Sequence, residues 1–340
     1  MKNIGLIFDS GHKIGGGHFW RCFNLAKLLK NKNRNFFFIS NQLGRGFIDI
    51  LKKEKFNYIK INNLKKISEI KYQIKQKILD VFISDYYELN SKSKKEIKKI
   101  VSSLIVIDDH INKKHCCDIY INNNFMTSAS KKKIKKLNPN TRLLLGTKYF
   151  IHNQKNLKIT DKQKIKKEIK NIFVFFGSSD LSRETFKFIK SINGFDYIKF
   201  QILIGNLNKD YKIIKDYCKD KKNISLFHNL SNYKTLRLMQ NNDLSFGSGG
   251  INLTERLFSG LVSVAICTAL NQKDALIALK EKKVIHYLGE SKKINEVKIK
   301  NCLKNLLENK NMFNSLQNKT NQFYNKNLGL NLLSKELSLT

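Results

Sequence analysis

Short apolar runs recur along this chain, each followed by a stretch of helical periodicity, and the pair repeats roughly every 20–30 residues. Ile4-Gly5-Leu6-Ile7-Phe8, Asn35 to Ser40, Phe56 to Ile61, Asp80 to Tyr87, Leu104 to His110 and Asp118 to Asn123 are such runs, with Arg142 to Gly146 a shorter one. Helices are expected over Phe19 to Lys30, up to about Lys55, over 64–79 and over 91–100. Strands joined by helices make right-handed crossovers, so the sheet they build is parallel. A second series opens at Asn171 to Phe176 and continues through Ile198 to Ile204, 224–227, Leu244 onward, Leu261 to Cys267 and 284–288. Its helices are expected over 181–192, 209–219, 231–240, 273–282, 294 to about 308 and from 311 onward.

A chain of 340 residues is too long for one ordinary open α/β domain and suits two. The expected division is 1–150, a connector 151–170, 171–320, and a final helix in 321–340 that packs back on the first domain. The stretch 126–170 reads as the join, with the basic run Lys131 to Lys136, the only proline, Pro139, and a polar connector.

The first strand runs into Asp9-Ser10-Gly11-His12-Lys13-Ile14-Gly15-Gly16-Gly17-His18. Gly15, Gly16 and Gly17 permit positive φ and close approach to bare backbone, where the N–H groups and positive end of a helix favour an anion. His18 follows, and a neutral imidazole is suited to take a proton from water. The alternative is that the glycines only make a tight turn and His18 caps or packs. In the helix behind, Phe19, Cys22, Phe23, Ala26 and Leu29 form one buried stripe, while Arg21, Asn24, Lys27 and Lys30 fall elsewhere on the wheel.

Ligands of parallel sheets bind at the carboxyl ends of the strands. Asp9, Asp85, Tyr86, Tyr87, Asp108 and Asp109 all fall at such ends. The second series opens with a strand into Gly177-Ser178-Ser179-Asp180. Later, Ser248-Gly249-Gly250-Ile251-Asn252-Leu253-Thr254-Glu255 passes from a short strand through small residues into a helix. Its N–H groups can hold phosphate, and Glu255, a turn inside, can chelate the two hydroxyls of a ribose. Alternatively, Glu255 only complements the helix dipole. Asn271 and Gln272 sit in a polar loop at another carboxyl end.

The formal net charge of +37 suggests a polyanion partner, but only seven of the 64 basic residues are arginine, and lysine is spread over nearly every predicted helix face. A reader of nucleic acid would use arginine for base contacts and interleave aromatics, so no specific nucleic acid is expected. Weak, salt-sensitive adsorption to polyanions is expected as a side effect. Six cysteines without C-x-x-C spacing point to reduced thiols and a cytoplasmic setting. Cys116-Cys117 with His115 and Asp118 lacks the second cluster that a zinc site uses. No secretory leader and no membrane span are expected. There is no D-x-D to anchor a metal–diphosphate, so neither metal nor cofactor is expected.

The string Ile14-Gly15-Gly16-Gly17-His18-Phe19-Trp20-Arg21 with Leu25-Ala26 resembles the UDP-2,4-diacetamido-2,4,6-trideoxy-β-L-altropyranose hydrolases of pseudaminic acid biosynthesis, whose pattern is I-G-x-G-H-x-x-R. The likeness continues in order through Asp85-Tyr86-Tyr87, Ile107-Asp108-Asp109, His115-Cys116-Cys117-Asp118, Phe176 to Asp180, Ser248 to Glu255 and Asn271-Gln272, to about residue 290. It implies a GT-B-like fold, two Rossmann-like domains with a cleft between them, and an inverting hydrolysis of a UDP-linked sugar. His18 would be the catalytic base. Gly15, Gly16, Gly17, Arg21, Asp85, Tyr87, Asp109, Gly177, Ser178, Asp180, Ser248, Gly249, Gly250, Asn252, Glu255, Asn271 and Gln272 would bind substrate. Where the family has Gly-Gly-x-Asp, this chain has Gly177-Ser178-Ser179-Asp180, and a serine Cβ there would crowd the diphosphate. A GT-B glycosyltransferase and a non-enzymatic basic polyanion-binding protein are the competing readings.

Overall fold

The computed structural model describes residues 2–9, 16–151, 165–327 and 332–337. These fall into two compact units, residues up to 151 together with 332–337, and residues 165–327.

The first unit is a seven-stranded sheet, β1 (Lys2–Phe8), β2 (Arg34–Ser40), β3 (Asn57–Lys60), β4 (Val81–Asp85), β5 (Ser103–Ile107), β6 (Ile119–Asn122) and β7 (Arg142–Leu145). Its order is β3-β2-β1-β4-β5-β6-β7, and every pairing is parallel. Ile4, Leu6, Ile7 and Phe8 are fully buried, as a central strand covered on both faces requires. Helix Gly17–Leu29 lies against this sheet through the expected stripe. Phe19 stacks on Phe47 at 4.3 Å and meets Phe8 and Phe38 edge-on or tilted. These rings fix the start of the helix over the end of β1.

The second unit is a six-stranded parallel sheet of β8 (Asn171–Phe175), β9 (Lys199–Ile204), β10 (Ile224–His228), β11 (Leu244–Ser248), β12 (Val262–Cys267) and β13 (His286–Glu290), ordered β10-β9-β8-β11-β12-β13. Phe188, Phe200 and Phe246 are among the side chains that fill its core. Each sheet grows outward in both directions from its first strand. The strand order therefore reverses between β1 and β4, and again between β8 and β11. These are the positions where an open α/β sheet leaves a crevice for ligand beyond its carboxyl ends.

Three expectations change. Residues 128–137 are not part of a join: Ser128–Leu137 is a helix, with Thr127 Oγ1 accepting from Ser130 N at 3.1 Å and Ile134 buried, and it leads into β7 at the edge of the first sheet. The helix expected from 181 begins at Glu184, after two non-glycine residues with positive φ, Asp180 and Arg183. Finally, the long helix Lys310–Asn327 belongs to the second unit, where Phe313 and Leu316 join the core and Thr320 Oγ1 donates to Val284 O. The short helix Leu332–Glu336 belongs to the first, and Glu336 pairs with Arg142.

Candidate functional site

The first cluster sits at the β1/β4 switch. Helix Gly17–Leu29 starts on Gly16, whose φ of −95° needs no glycine freedom, and Trp20 N donates to Gly16 O at 3.0 Å. Gly15 and the rest of 10–15 lie outside the described residues. His18, in the first turn, is 15% exposed, and its Nδ1 is 2.8 Å from Asp85 Oδ1 at the end of β4. An ionised carboxylate only accepts, so Nδ1 carries the proton and Nε2 keeps the lone pair. That is the tautomer a base needs.

Arg21, one helical turn on and off the apolar stripe, is buried as well. Its Nε donates to Asp85 Oδ2 at 2.7 Å and Nη2 to Asp85 Oδ1. Nη1 donates to Asp109 Oδ1 at 2.8 Å and Nη2 to Tyr87 OH at 3.0 Å. Tyr87 OH in turn donates to Asp109 Oδ2. One guanidinium thus joins the ends of β4 and β5 beneath the histidine. Burial alone would raise the Asp85 carboxyl, but the charges and hydrogen bonds of Arg21 and His18 outweigh it and hold the group below its ordinary range. Burial also pushes the Tyr87 phenol well up, so it stays protonated and donates.

Of the other strand-end residues, Tyr86 turns into the core, its OH donating to Glu88, and Asp108 is buried and does not bond to Arg21. Asp108 accepts from the backbone and ring of His110, at 2.9 and 2.7 Å, and from Lys113 at 3.3 Å. Lys113 also donates to Tyr87 O at 3.0 Å, and the His110 ring meets the Tyr87 ring edge-on at 4.9 Å. Tyr87 meets His18 in the same way on its other side, at 4.7 Å. His110 and Lys113 therefore position the tyrosine, a role with no motif signal. His115 accepts from the buried Lys94 at 3.0 Å, and burial lowers its pKa to about 4. Its ring packs against that of Tyr120 at 4.5 Å, and burial raises the Cys117 thiol to about 12.

The second cluster sits at the β8/β11 switch. Gly177 has φ +104°, open to glycine, whereas Ser178 is not among the residues with positive φ. Asp180 is turned inward: its carboxylate accepts from Glu184 N and Thr185 N at 3.0 and 2.8 Å and so caps helix Glu184–Ser191. Burial raises it to about 6. Beyond β11, Gly249 N donates to Gln272 Oε1 at 3.2 Å, and the same oxygen accepts from Thr268 N and Oγ1. Gln272 thus braces the glycine turn, with Asn271 next to it in the short turn Leu270–Gln272. Helix Ile251–Phe258 follows. Glu255 accepts from Asn232 Nδ2 at 3.0 Å and Asn252 Nδ2 at 3.2 Å. Burial raises it to about 7 against those two amides. Asn232, from another helix, could not have been found from local pattern.

Among the described residues no group of three or more histidine, cysteine or acidic side chains is arranged to hold a metal ion, and no helix is long and apolar enough to cross a membrane.

No family model matches the chain. It is 28% identical over 278 residues to an uncharacterised protein of Methanocaldococcus jannaschii, a match covering 77% of this chain and only about half, 55%, of that protein. It is 25% identical over 275 residues to SpsG of Bacillus subtilis, a spore coat polysaccharide biosynthesis protein, covering 79% of this chain and 77% of SpsG. Among solved structures it is similar to Phytolacca americana UGT2 complexed with UDP-2-fluoro-glucose and pterostilbene, with a TM-score of 0.69 at 11% identity over 99% of this chain and 98% of that one. It is also similar to Neisseria meningitidis UDP-GlcNAc 2-epimerase bound to UDP-GlcNAc, with a TM-score of 0.66 at 12% identity over the same shares. The chain thus has a GT-B-like fold of two parallel-sheet α/β units.

Proposed function

We propose that this chain is an enzyme of nucleotide-sugar metabolism that hydrolyses a UDP-linked sugar. The observation that carries the reading is the buried Arg21–Asp85 pair beneath His18, which fixes the imidazole tautomer and leaves Nε2 for a proton. In the reaction Nε2 removes a proton from water as its oxygen attacks the anomeric carbon, the bond to the diphosphate oxygen breaks, and UDP leaves with inversion. Asp85 then stabilises the imidazolium. The leaving group is good without an acid, so what remains is to hold developing phosphate charge, the role of the Ser248–Gly250 turn. Glu255, with Asn232 and Asn252, suits a ribose. The UDP-sugars bound to the fold neighbours and the polysaccharide role in the name of SpsG support the substrate class. The motif resemblance supports UDP-2,4-diacetamido-2,4,6-trideoxy-β-L-altrose within it.

The test is incubation with a panel of UDP-diacetamido sugars in ¹⁸O-water, read by proton NMR and mass spectrometry. The expected result is free sugar of inverted configuration with the label on the sugar and none on UDP. His18→Ala should lower turnover by about 10³-fold or more while UDP still binds; unchanged turnover would remove His18 as base. The transferase reading is favoured by the likeness to a plant protein whose structure holds both a UDP-sugar and a second small molecule. It predicts an inert donor until an acceptor is added.

A further inference from the structure

Arg256, in the last turn of helix Ile251–Phe258, has no exposed surface, yet among the described residues it pairs with no carboxylate. Its Nη2 donates to Ser248 O at 2.7 Å, and Nη1 to Ser245 Oγ and Val264 O, both at 3.2 Å; Nε has no partner. The nearby acids are engaged elsewhere: Glu255 faces Asn232 and Asn252, and Asp243 faces Lys166 and the N–H groups of Lys170 and Asn171. Burial without a countercharge lowers its pKa to about 9. A buried guanidinium normally has its charge offset, because desolvation costs several kcal/mol. Here the charge lies under Gly247, where a Cβ would come within 3.1 Å of the guanidinium carbon, and is bonded to the carbonyl that opens the Ser248–Gly249–Gly250 turn.

We infer that Arg256 is the fixed countercharge of an anion site at that turn, a positioning residue that holds the Ser248 carbonyl inward and whose charge is balanced by the phosphates of a bound nucleoside diphosphate. The inference rests on the reading that this turn takes a nucleotide, and adds the residue that makes it select diphosphate over nucleoside. A charge a few ångströms behind the turn and shielded from water acts through a low dielectric, so its loss should weaken an anion by about tenfold or more and leave a neutral ligand unaffected.

The experiment is calorimetric titration of the full chain with UDP and with uridine, for wild type, Arg256→Gln and Arg256→Lys. The expected result is a strong wild-type preference for UDP, lowered about tenfold or more in Arg256→Gln with uridine affinity retained, and largely restored in Arg256→Lys. Arg256→Gln with the wild-type ratio would overturn the inference. So would a lysine variant as impaired as the glutamine one, since that would assign the effect to loop shape. Should Arg256→Gln fail to fold, the Nε–H signals of ¹⁵N-arginine-labelled wild type decide. With seven arginines in the chain, the Arg256 signal is identified by its loss in Arg256→Lys. It should shift with UDP or inorganic pyrophosphate and not with uridine, and an unmoved signal overturns the inference. A wild type that binds UDP no better than uridine would instead remove the nucleotide reading itself.

Discussion

Asp85 is the anion on which the candidate base depends. Replacing it with Asn leaves the shape but removes the charge that stabilises the imidazolium and strips Arg21 of its bidentate partner. Asp85→Asn should lower turnover by about 10²–10⁴-fold and destabilise the first unit by about 3–5 kcal/mol, read by kinetics and urea unfolding. Because its folded pKa lies below the unfolded one, the stability it contributes is present above the ordinary carboxylate range and lost as pH falls through the lowered value. Glu255 has the opposite sign. Raised by burial to about 7, it reduces stability as pH rises from the ordinary range through 7. Glu255→Gln should therefore stabilise the chain at pH 8 by on the order of 1–2 kcal/mol, a gain that disappears near pH 4, while nucleotide affinity falls. Thermal melts at the two pH values test this. His18 and Glu255 stand out as candidates in the sequence because each follows a glycine turn at a helix start. Arg21 stood out only through the motif resemblance, as a residue on the substrate; its pairing with two carboxylates from distant strands has no local pattern. Asp180, read as a ligand, instead caps a helix that begins later than its periodicity suggests.

At the level of elements, every strand was legible, with bounds off by up to three residues at β5 and two at β1, β4 and β13, where polar strand ends blur the edge. Helix Ser128–Leu137 was not, because Ile134 is its only fully buried residue and five lysines mask the period. The β8 turn depends on a close approach that no sequence pattern shows: a Cβ on Gly205 would lie 2.3 Å from Ser178 Cα. Gly205→Ala should displace the Gly177–Ser178 turn and destabilise the second unit by about 1–3 kcal/mol, while His18 and Asp85 remain paired. Hydrogen exchange separates the two outcomes.

For the whole molecule, the excess of lysine has little bearing on the chemistry proposed. Binding to heparin should be measurable at low ionic strength, fall steeply by about 0.2 M salt, and be the same in His18→Ala as in wild type. Tight heparin binding of that kind in a chain that turns over no UDP-sugar would favour the polyanion reading, which is likewise indifferent to His18→Ala. The expected two-part architecture follows from two series of runs each too long to share a sheet; a final helix packing back on the first unit was also expected, but hydropathy does not encode that it is only Leu332–Glu336, tied by Arg142 with Glu336. A timing consequence follows from Arg21. Its partners lie at the ends of two strands that arrive more than sixty positions later in the chain, so the base is oriented only after β4 has paired with β1 and β5 with β4. In dilution from denaturant, catalytic recovery should trail the return of circular dichroism, and the lag should be the rate of parallel-strand docking itself.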